Sequence, residues 1–119
     1  MVNKIEFKVF KNKKVRIIWD ENNEKWYISI IDVVGILTKS VDPNAYWRKL
    51  KQRLIKEGNE TVKNCHSLKM PARDGRMRLT NVADTEQLLI LLKSINSKKA
   101  EPFKLWLTKL ADKMQNSEQ

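Results

Sequence analysis

One stretch of the chain, residues 42–58 (DPNAYWRKLKQRLIKEG), carries helix signals at both ends and constrains the fold most. Asp42 is a good N-cap residue, because its carboxylate accepts hydrogen bonds from the free amides of a first helical turn. Pro43 fits the first helical position, where its missing N–H costs nothing. Gly58 fits the end, since glycine takes the left-handed conformation that terminates many helices. The stretch therefore predicts one helix.

The predicted helix has an apolar side and a basic side. At 100° per residue, Trp47, Leu50 and Leu54 fall together and predict the side that packs on a core. The opposite side carries four cations and one long amide: Arg48, Lys49, Gln52, Arg53 and Lys56. Two interpretations of this side stay open, an ordinary solvated helix surface or a surface laid against nucleic acid.

The distribution of charge favours nucleic acid. The 119 residues have a formal net charge of +10, from 24 Lys and Arg against 14 Asp and Glu. Residues 39–78 hold eleven of these cations and only four of the acids. A local excess of this size favours a polyanionic partner, with nucleic acid ahead of an anionic membrane surface.

Length and cysteine content indicate a single cytoplasmic domain. A chain of 119 residues is long enough for one core. Cys65 is the only cysteine, which excludes an intramolecular disulfide and a cysteine metal cluster and fits a reducing compartment. No signal peptide is recognisable, and no apolar run approaches the roughly 20 residues that span a bilayer. We expect no membrane partner.

Three short strands are predicted before residue 30. Apolar residues alternate with polar ones, the period of a half-buried strand, in two segments: Ile5, Phe7 and Val9, and then Val15, Ile17 and Trp19. Residues 26–28 predict a third strand. The brief polar connections predict an antiparallel meander, one apolar face of which needs covering.

A β-hairpin is predicted from about residue 66 to residue 80, with Asp74 and Gly75 in its turn. We expect its outer face to carry Lys69, Arg76 and Arg78, with Arg73 near the tip. A basic ribbon can lie along a nucleic-acid groove or backbone. An ordinary solvated hairpin is the alternative.

The remaining segments complete an α+β fold. Ser29 and Asp32 resemble a capping box that opens a short buried helix, Asp84 or Thr85 caps a central one, and the last helix starts near Pro102. The prediction is a small antiparallel sheet, the N-terminal three-stranded meander plus the basic β-hairpin, packed with about four helices. The first two helices have the general form of a helix-turn-helix, which many helix pairs share without reading DNA.

No set of residues predicts catalysis or a bound cofactor. Cys65 and His66 are adjacent in a predicted strand and would point to opposite faces, whereas a nucleophile and its base must converge. Asp20, Glu21 and Glu24 resemble solvated loop acids without further metal ligands at suitable spacing. There is no glycine-rich phosphate loop. We predict no enzyme, no cofactor and no metal site.

Five blocks occur in a fixed order: VRIIWD (15–20), KWYISIIDVVGILT (25–38), YWRKLKQRLIKEGNE (46–60), LKMPARDGRMRLTNVADTEQLL (68–89) and KKAEPFKLWL (98–107). Together they resemble the N-terminal domain of the BRO family, found in prophage antirepressors and baculovirus repeated-ORF proteins. The resemblance implies a DNA-binding α+β domain of phage or prophage transcriptional regulation, in the bacterial cytosol or nucleoid. Residues 1–114 would form this domain. Residues 115–119 would be a frayed tail that could begin a linker to a C-terminal region.

The first functional hypothesis is binding of double-stranded DNA. Gln52 would reach a base edge, and the phosphate contacts would come from eight cations: Arg48, Lys49, Arg53, Lys56, Lys69, Arg73, Arg76 and Arg78. Whether the domain acts as a monomer or as a homodimer is open, and a dimer would pair two such helices on half-sites.

Two alternatives belong to other classes. A protein-interaction module could sequester a phage repressor without contacting DNA, and Leu105 or an exposed Trp47 would then contact the repressor. Binding of RNA or single-stranded DNA needs aromatic side chains on the basic surface, where Tyr46 is the candidate for base stacking.

Overall fold

The fold is a curled five-stranded antiparallel sheet packed with five helices, which confirms the predicted α+β class. It is known from a computed structural model that describes residues 4–117, with side chains for residues 4–114. The strands are β1 (Lys4–Phe10), β2 (Lys13–Asp20), β3 (Lys25–Ser29), β4 (His66–Pro71) and β5 (Met77–Ala83). The helices are α1 (Ile30–Thr38), α2 (Pro43–Lys56), α3 (Glu60–Lys63), α4 (Thr85–Leu92) and α5 (Ala100–Ser117).

The predicted meander and the predicted hairpin belong to one sheet, in the strand order β1-β2-β3-β5-β4. β5 joins β3 through two residue pairs, Ile28 with Ala83 and Ser29 with Val82. This pairing crosses more than fifty residues of sequence, so neither segment's own periodicity predicts it. It sets the hairpin beside the meander and closes a loop of the chain that contains α1, α2 and α3.

The two faces of the sheet are buried in different ways. On one face, Val15, Ile17 and Ile28 are buried with helical residues that include Phe103 and Leu107 of α5. The other face has a smaller cluster of strand residues: Ile18, Tyr27, Met70 and Val82, with Ile5 and Leu68 packed against it. The curl of the sheet brings these strand side chains together.

The apolar residues of β1 are less buried than the sequence predicts. Phe7 is 53% exposed and Val9 is 55% exposed, and only Ile5 packs against the strand cluster. The opposite face of β1 ends in Phe10, which is buried with its ring centroid 5.1 Å from that of Phe103. The alternation predicted a strand correctly, but the expected covered face is largely open.

Arg16 of β2 fastens α1 and β4 to the meander. Its guanidinium donates to both carboxylate oxygens of Asp32 at 2.8 and 2.9 Å, to the Pro71 carbonyl at 2.9 Å and to Ser29 Oγ at 3.1 Å. Ser29 is the N-cap residue of α1, but its side chain caps no amide. The predicted capping box is therefore wrong, because the Ser29 hydroxyl and the Asp32 carboxylate both accept hydrogen bonds from Arg16 instead of from the amides of α1.

The last helix extends into the predicted tail. α5 runs over Ala100–Ser117 and buries Phe103, Leu107, Leu110 and Met114 on one side. Its helical backbone includes residues 115–117 of the predicted frayed segment. Residues 118 and 119 of that segment lie outside the described residues. The domain boundary at residue 114 stays a prediction.

Candidate nucleic-acid interface

α2 begins and ends as the sequence predicts. The Asp42 carboxylate is the N-cap and accepts from the backbone N–H of Ala45 at 3.1 Å, and Pro43 is the first helical residue. The helix ends at Lys56, and Gly58 follows with a φ of 81°. Local capping chemistry therefore sets both ends of the helix that carries the candidate interface.

The side of α2 that faces away from the core is exposed along its length. Trp47, Leu50 and Leu54 are each at most 5% exposed, which fixes the opposite side toward solvent. The exposed set, called the α2 basic face below, is Arg48, Lys49, Gln52, Arg53 and Lys56. Among the described residues, Arg53 is the one member of this set with an ion-pair partner, Glu57 at 3.9 Å. Within the described part of the chain, no carboxylate forms an ion pair with the other three cations.

The hairpin β4–β5 lies directly beside α2. Trp47 Nε1 donates to Asn81 Oδ1 at 2.8 Å, and Lys51 Nζ donates to the same oxygen at 3.3 Å. Asn81 Nδ2 in turn donates to Ser67 Oγ at 2.7 Å, from β5 to β4. One side-chain amide therefore connects the two basic elements that the sequence predicts separately.

The cations of the hairpin do not share one face, contrary to the expectation. Lys69 pairs with Leu79 across the strands, and Met70 pairs with Arg78. Cross-strand partners lie on the same face and successive residues alternate. Lys69 therefore shares the face of Asn81, which contacts α2, whereas Arg78 lies on the opposite face with buried Met70.

Arg78 is also partly neutralised. Its guanidinium donates to Asp74 at 2.6 Å, and this hydrogen bond, with a second from the backbone N–H of Arg76, holds the pKa of Asp74 below its usual value. Arg73 and Arg76 lie in the turn between the strands, and both are exposed. Arg73 is at the tip, as predicted.

The residues of the two alternative hypotheses occupy different environments. Trp47 is 5% exposed with its indole N–H bonded to Asn81, so it is not a surface contact. Leu105 is 60% exposed on α5. Tyr46 is half-buried and packs against the main core.

A second group of cations, which the sequence does not predict, lies near the start of α2. A cleft there is lined by Leu37, Thr38, Lys39, Tyr46, Asn96, Ser97, Lys98 and Lys99. The pKa of Lys99 is below its usual value because of desolvation and because of repulsion from Lys39, Lys11 and Lys13. These five lysines, Lys11, Lys13, Lys39, Lys98 and Lys99, are called the lysine patch below. They come from three distant segments, so no local pattern could have predicted the group.

α2 is flanked on two sides. Tyr46 lines the cleft of the lysine patch, whereas Lys51 contacts the hairpin through Asn81. Five residues of α-helix separate these positions by about 140° around the axis. This shorter arc contains the buried residues Trp47 and Leu50, so the α2 basic face lies on the longer arc, of about 220°, between the hairpin and the lysine patch.

Cys65 and His66 make separate contacts. Cys65 Sγ donates to the Thr61 carbonyl at 3.6 Å, and burial raises the pKa of its thiol. The His66 ring packs edge-on against Tyr27 at 5.2 Å between centroids. In the part of the chain that the structure describes, no His, Cys, Asp and Glu side chains form a group of three able to hold a metal ion. Across the same residues, every helix is too short or too polar to cross a membrane.

The sequence model of the BRO family N-terminal domain matches residues 14–113. The chain belongs to this family. Bro-N is associated with DNA binding in phage antirepressor-type proteins and is a regulatory rather than an enzyme family. The matched residues include the α2 basic face, the hairpin and three lysines of the patch, Lys39, Lys98 and Lys99. No curated protein and no solved structure matches this Bro-N chain.

Proposed function

We propose that this Bro-N domain binds duplex DNA in phage or prophage transcriptional regulation, with α2 in a groove and the hairpin on the adjoining backbone. The observation that carries the proposal is the α2 basic face, which is exposed while the other side of α2 is fixed by the core and by Asn81. A positioned helix loses little conformational freedom on binding, so its cations are preorganised for phosphate.

Within the α2 basic face, Gln52 has the role of reading a base. It lies one turn from both Arg48 and Lys56, near the middle of the exposed side. A glutamine amide can bind adenine through two hydrogen bonds, which contributes about 1–3 kcal/mol of discrimination. Arg48, Lys49, Arg53 and Lys56 contact phosphates.

The hairpin contributes phosphate contacts mainly through Lys69, Arg73 and Arg76. Lys69 lies on the face that Asn81 presents to α2, and the two arginines are at the exposed tip. Arg78 contributes least, because it lies on the other face and is paired with Asp74.

A salt titration of duplex binding tests the proposal. If six cations reach phosphates, the logarithm of the association constant falls with the logarithm of salt concentration with a slope of about −5. The variant Arg48→Gln/Lys56→Gln should reduce the slope by about 2, one unit for each lost contact. The control Lys109→Gln/Lys113→Gln removes the same charge from exposed positions on α5 and should keep the slope. An affinity that does not change with salt would rule out duplex binding through this face.

A second candidate function is sequestration of a phage repressor, favoured by the exposure of Leu105. Capture of the repressor should then survive nuclease treatment and the loss of Arg48, Lys49 and Arg53, and should fail in Leu105→Glu. Binding of RNA or single-stranded DNA, in which Tyr46 stacks on bases, is distinguished from duplex binding by a competition assay among duplex DNA, single-stranded DNA and RNA. Sedimentation with and without duplex distinguishes a monomer from a homodimer.

A further inference from the structure

We propose that the lysine patch is a second phosphate-binding site, which holds the DNA strand on the side of α2 opposite the hairpin. The domain would then hold both backbones that border the groove occupied by α2. This inference rests on the proposed function and adds to it a role for five residues outside the predicted interface.

The lysine patch is an uncompensated concentration of charge. Lys11 lies in the β1–β2 connection, Lys13 begins β2, Lys39 is the C-cap residue of α1, and Lys98 and Lys99 precede α5. Among the described residues, none of the five forms an ion pair with a carboxylate, and Lys11 Nζ lies 5.6 Å over the Phe10 ring instead. Cations held together without counter-charges attract phosphate groups, which relieve the repulsion.

The Ser97 side chain holds the segments of Lys39 and Lys99 together at one cleft. Ser97 Oγ donates to the Leu37 carbonyl at 2.5 Å and accepts from the backbone N–H of Lys99 at 3.1 Å. Lys39 follows α1 as its C-cap residue in the left-handed conformation, with a φ of 55°. Ser97 therefore ties the segment that carries Lys99 to the end of the helix that carries Lys39. The patch is preorganised in the same sense as the α2 basic face.

The position of the patch suits a groove with a backbone on each side. An α-helix with its side chains is about 10–12 Å across, and the major groove is about 12 Å wide. A helix in the groove therefore has one phosphate strand on each flank. The hairpin is on the Lys51 flank of α2, and the lysine patch is on the Tyr46 flank. Each flank thus has a basic element that can meet one strand.

The test is a salt titration of the variant Lys39→Gln/Lys99→Gln against duplex DNA. The slope should decrease in magnitude by about 2 relative to the unmodified domain. Lys109→Gln/Lys113→Gln is the matched control, because these exposed lysines of α5 are not among the cations that act on Lys99. Thermal unfolding of each variant checks the fold, and Lys13→Gln/Lys98→Gln replaces the first variant if it unfolds.

Phosphate-ethylation interference on a duplex selected from a randomised pool then assigns the strand. Lys39→Gln/Lys99→Gln should abolish interference at a set of phosphates on one strand, and Lys69→Gln/Arg73→Gln at a set on the other strand, while interference at the phosphates that α2 contacts remains. Loss on the same strand for both variants would overturn the inference. An unchanged salt slope for Lys39→Gln/Lys99→Gln would also overturn it, if Arg48→Gln/Lys56→Gln has a reduced slope. Duplex binding through α2 would still stand in that case. If the unmodified domain shows no salt-dependent binding, the proposed function fails and the inference fails with it.

Discussion

The indole nitrogen of Trp47 donates a 2.8 Å hydrogen bond to the side-chain oxygen of Asn81, and this bond joins α2 to the hairpin. Trp47 is 5% exposed, so its N–H has almost no access to water. The same oxygen accepts from Lys51, so one amide orientation serves both side chains of α2. The relative position of the two basic elements depends on this amide.

The hydrogen bond of Trp47 should be measurable against a second tryptophan. Trp26 buries its Nε1 without a hydrogen-bond partner among the described residues. Trp47→Phe should therefore destabilise the domain by about 0.5–1.5 kcal/mol more than Trp26→Phe, since only the first change breaks a hydrogen bond and Asn81 Oδ1 keeps Lys51 as a donor. Urea unfolding of both variants measures the difference. Equal losses would mean that the bond to Asn81 adds nothing to stability.

Two Arg–Asp pairs of the domain should differ sharply in their effect on stability. The side chains of Arg16 and Asp32 are 13% and 17% exposed, whereas those of Arg78 and Asp74 are 56% and 47% exposed. Asp32→Ala leaves a largely buried guanidinium without its carboxylate and should cost about 3–5 kcal/mol. Asp74→Ala should hardly move the urea midpoint, because water solvates Arg78. Comparable losses in the two variants would contradict the role given to Arg16.

Base reading and phosphate binding should separate on α2. Gln52→Ala should lower the preference for the selected sequence over other sequences by about 1–3 kcal/mol, with the salt slope unchanged. Arg48→Ala/Lys56→Ala should instead weaken binding to all sequences alike. Titration of both variants with selected and scrambled duplexes distinguishes these effects. If Gln52→Ala leaves the preference intact, another side chain reads the sequence.

Lys39 should lower the stability of the fold while it contributes to DNA binding. Its φ of 55° is a conformation that glycine adopts without strain and other residues do not. Lys39→Gly should therefore stabilise the fold by about 0.5–1 kcal/mol, which is the relieved strain less the extra backbone entropy that glycine loses, and should reduce the salt slope of duplex binding by about 1. Lys39→Ala removes the charge without relieving the backbone, so it should change the slope alone. Unfolding and binding measurements on both variants test the two effects separately.

Residues close together in the sequence predicted the helices and strands, but not the contacts that these elements make with one another. Asp42, Pro43 and Gly58 act within a few residues of sequence, so the ends of α2 could be predicted. The capping box at Ser29 and Asp32 failed because Arg16, distant in sequence, binds both side chains. Interactions between separate strands are not visible in a local pattern.

The candidate site was predicted in part for the same reason. The periodicity of α2 placed its basic face correctly, since one helix determines it. The division of Lys69 and Arg78 between faces depends on the register across the turn, which pairs Lys69 with Leu79. The lysine patch forms only when three separate segments pack together, so the sequence of no single segment predicts it.

The two residue pairs that join β3 to β5 also determine when the surface can form. Residues 30–81, with α1 and α2, lie inside the loop that this pairing closes. At a synthesis rate of about 5–20 residues per second, β5 follows α2 out of the ribosome by roughly one to five seconds. During that interval α2 lacks Asn81 and the completed sheet to pack against. The α2 basic face and the hairpin therefore reach their relative position only after β5 has paired with β3.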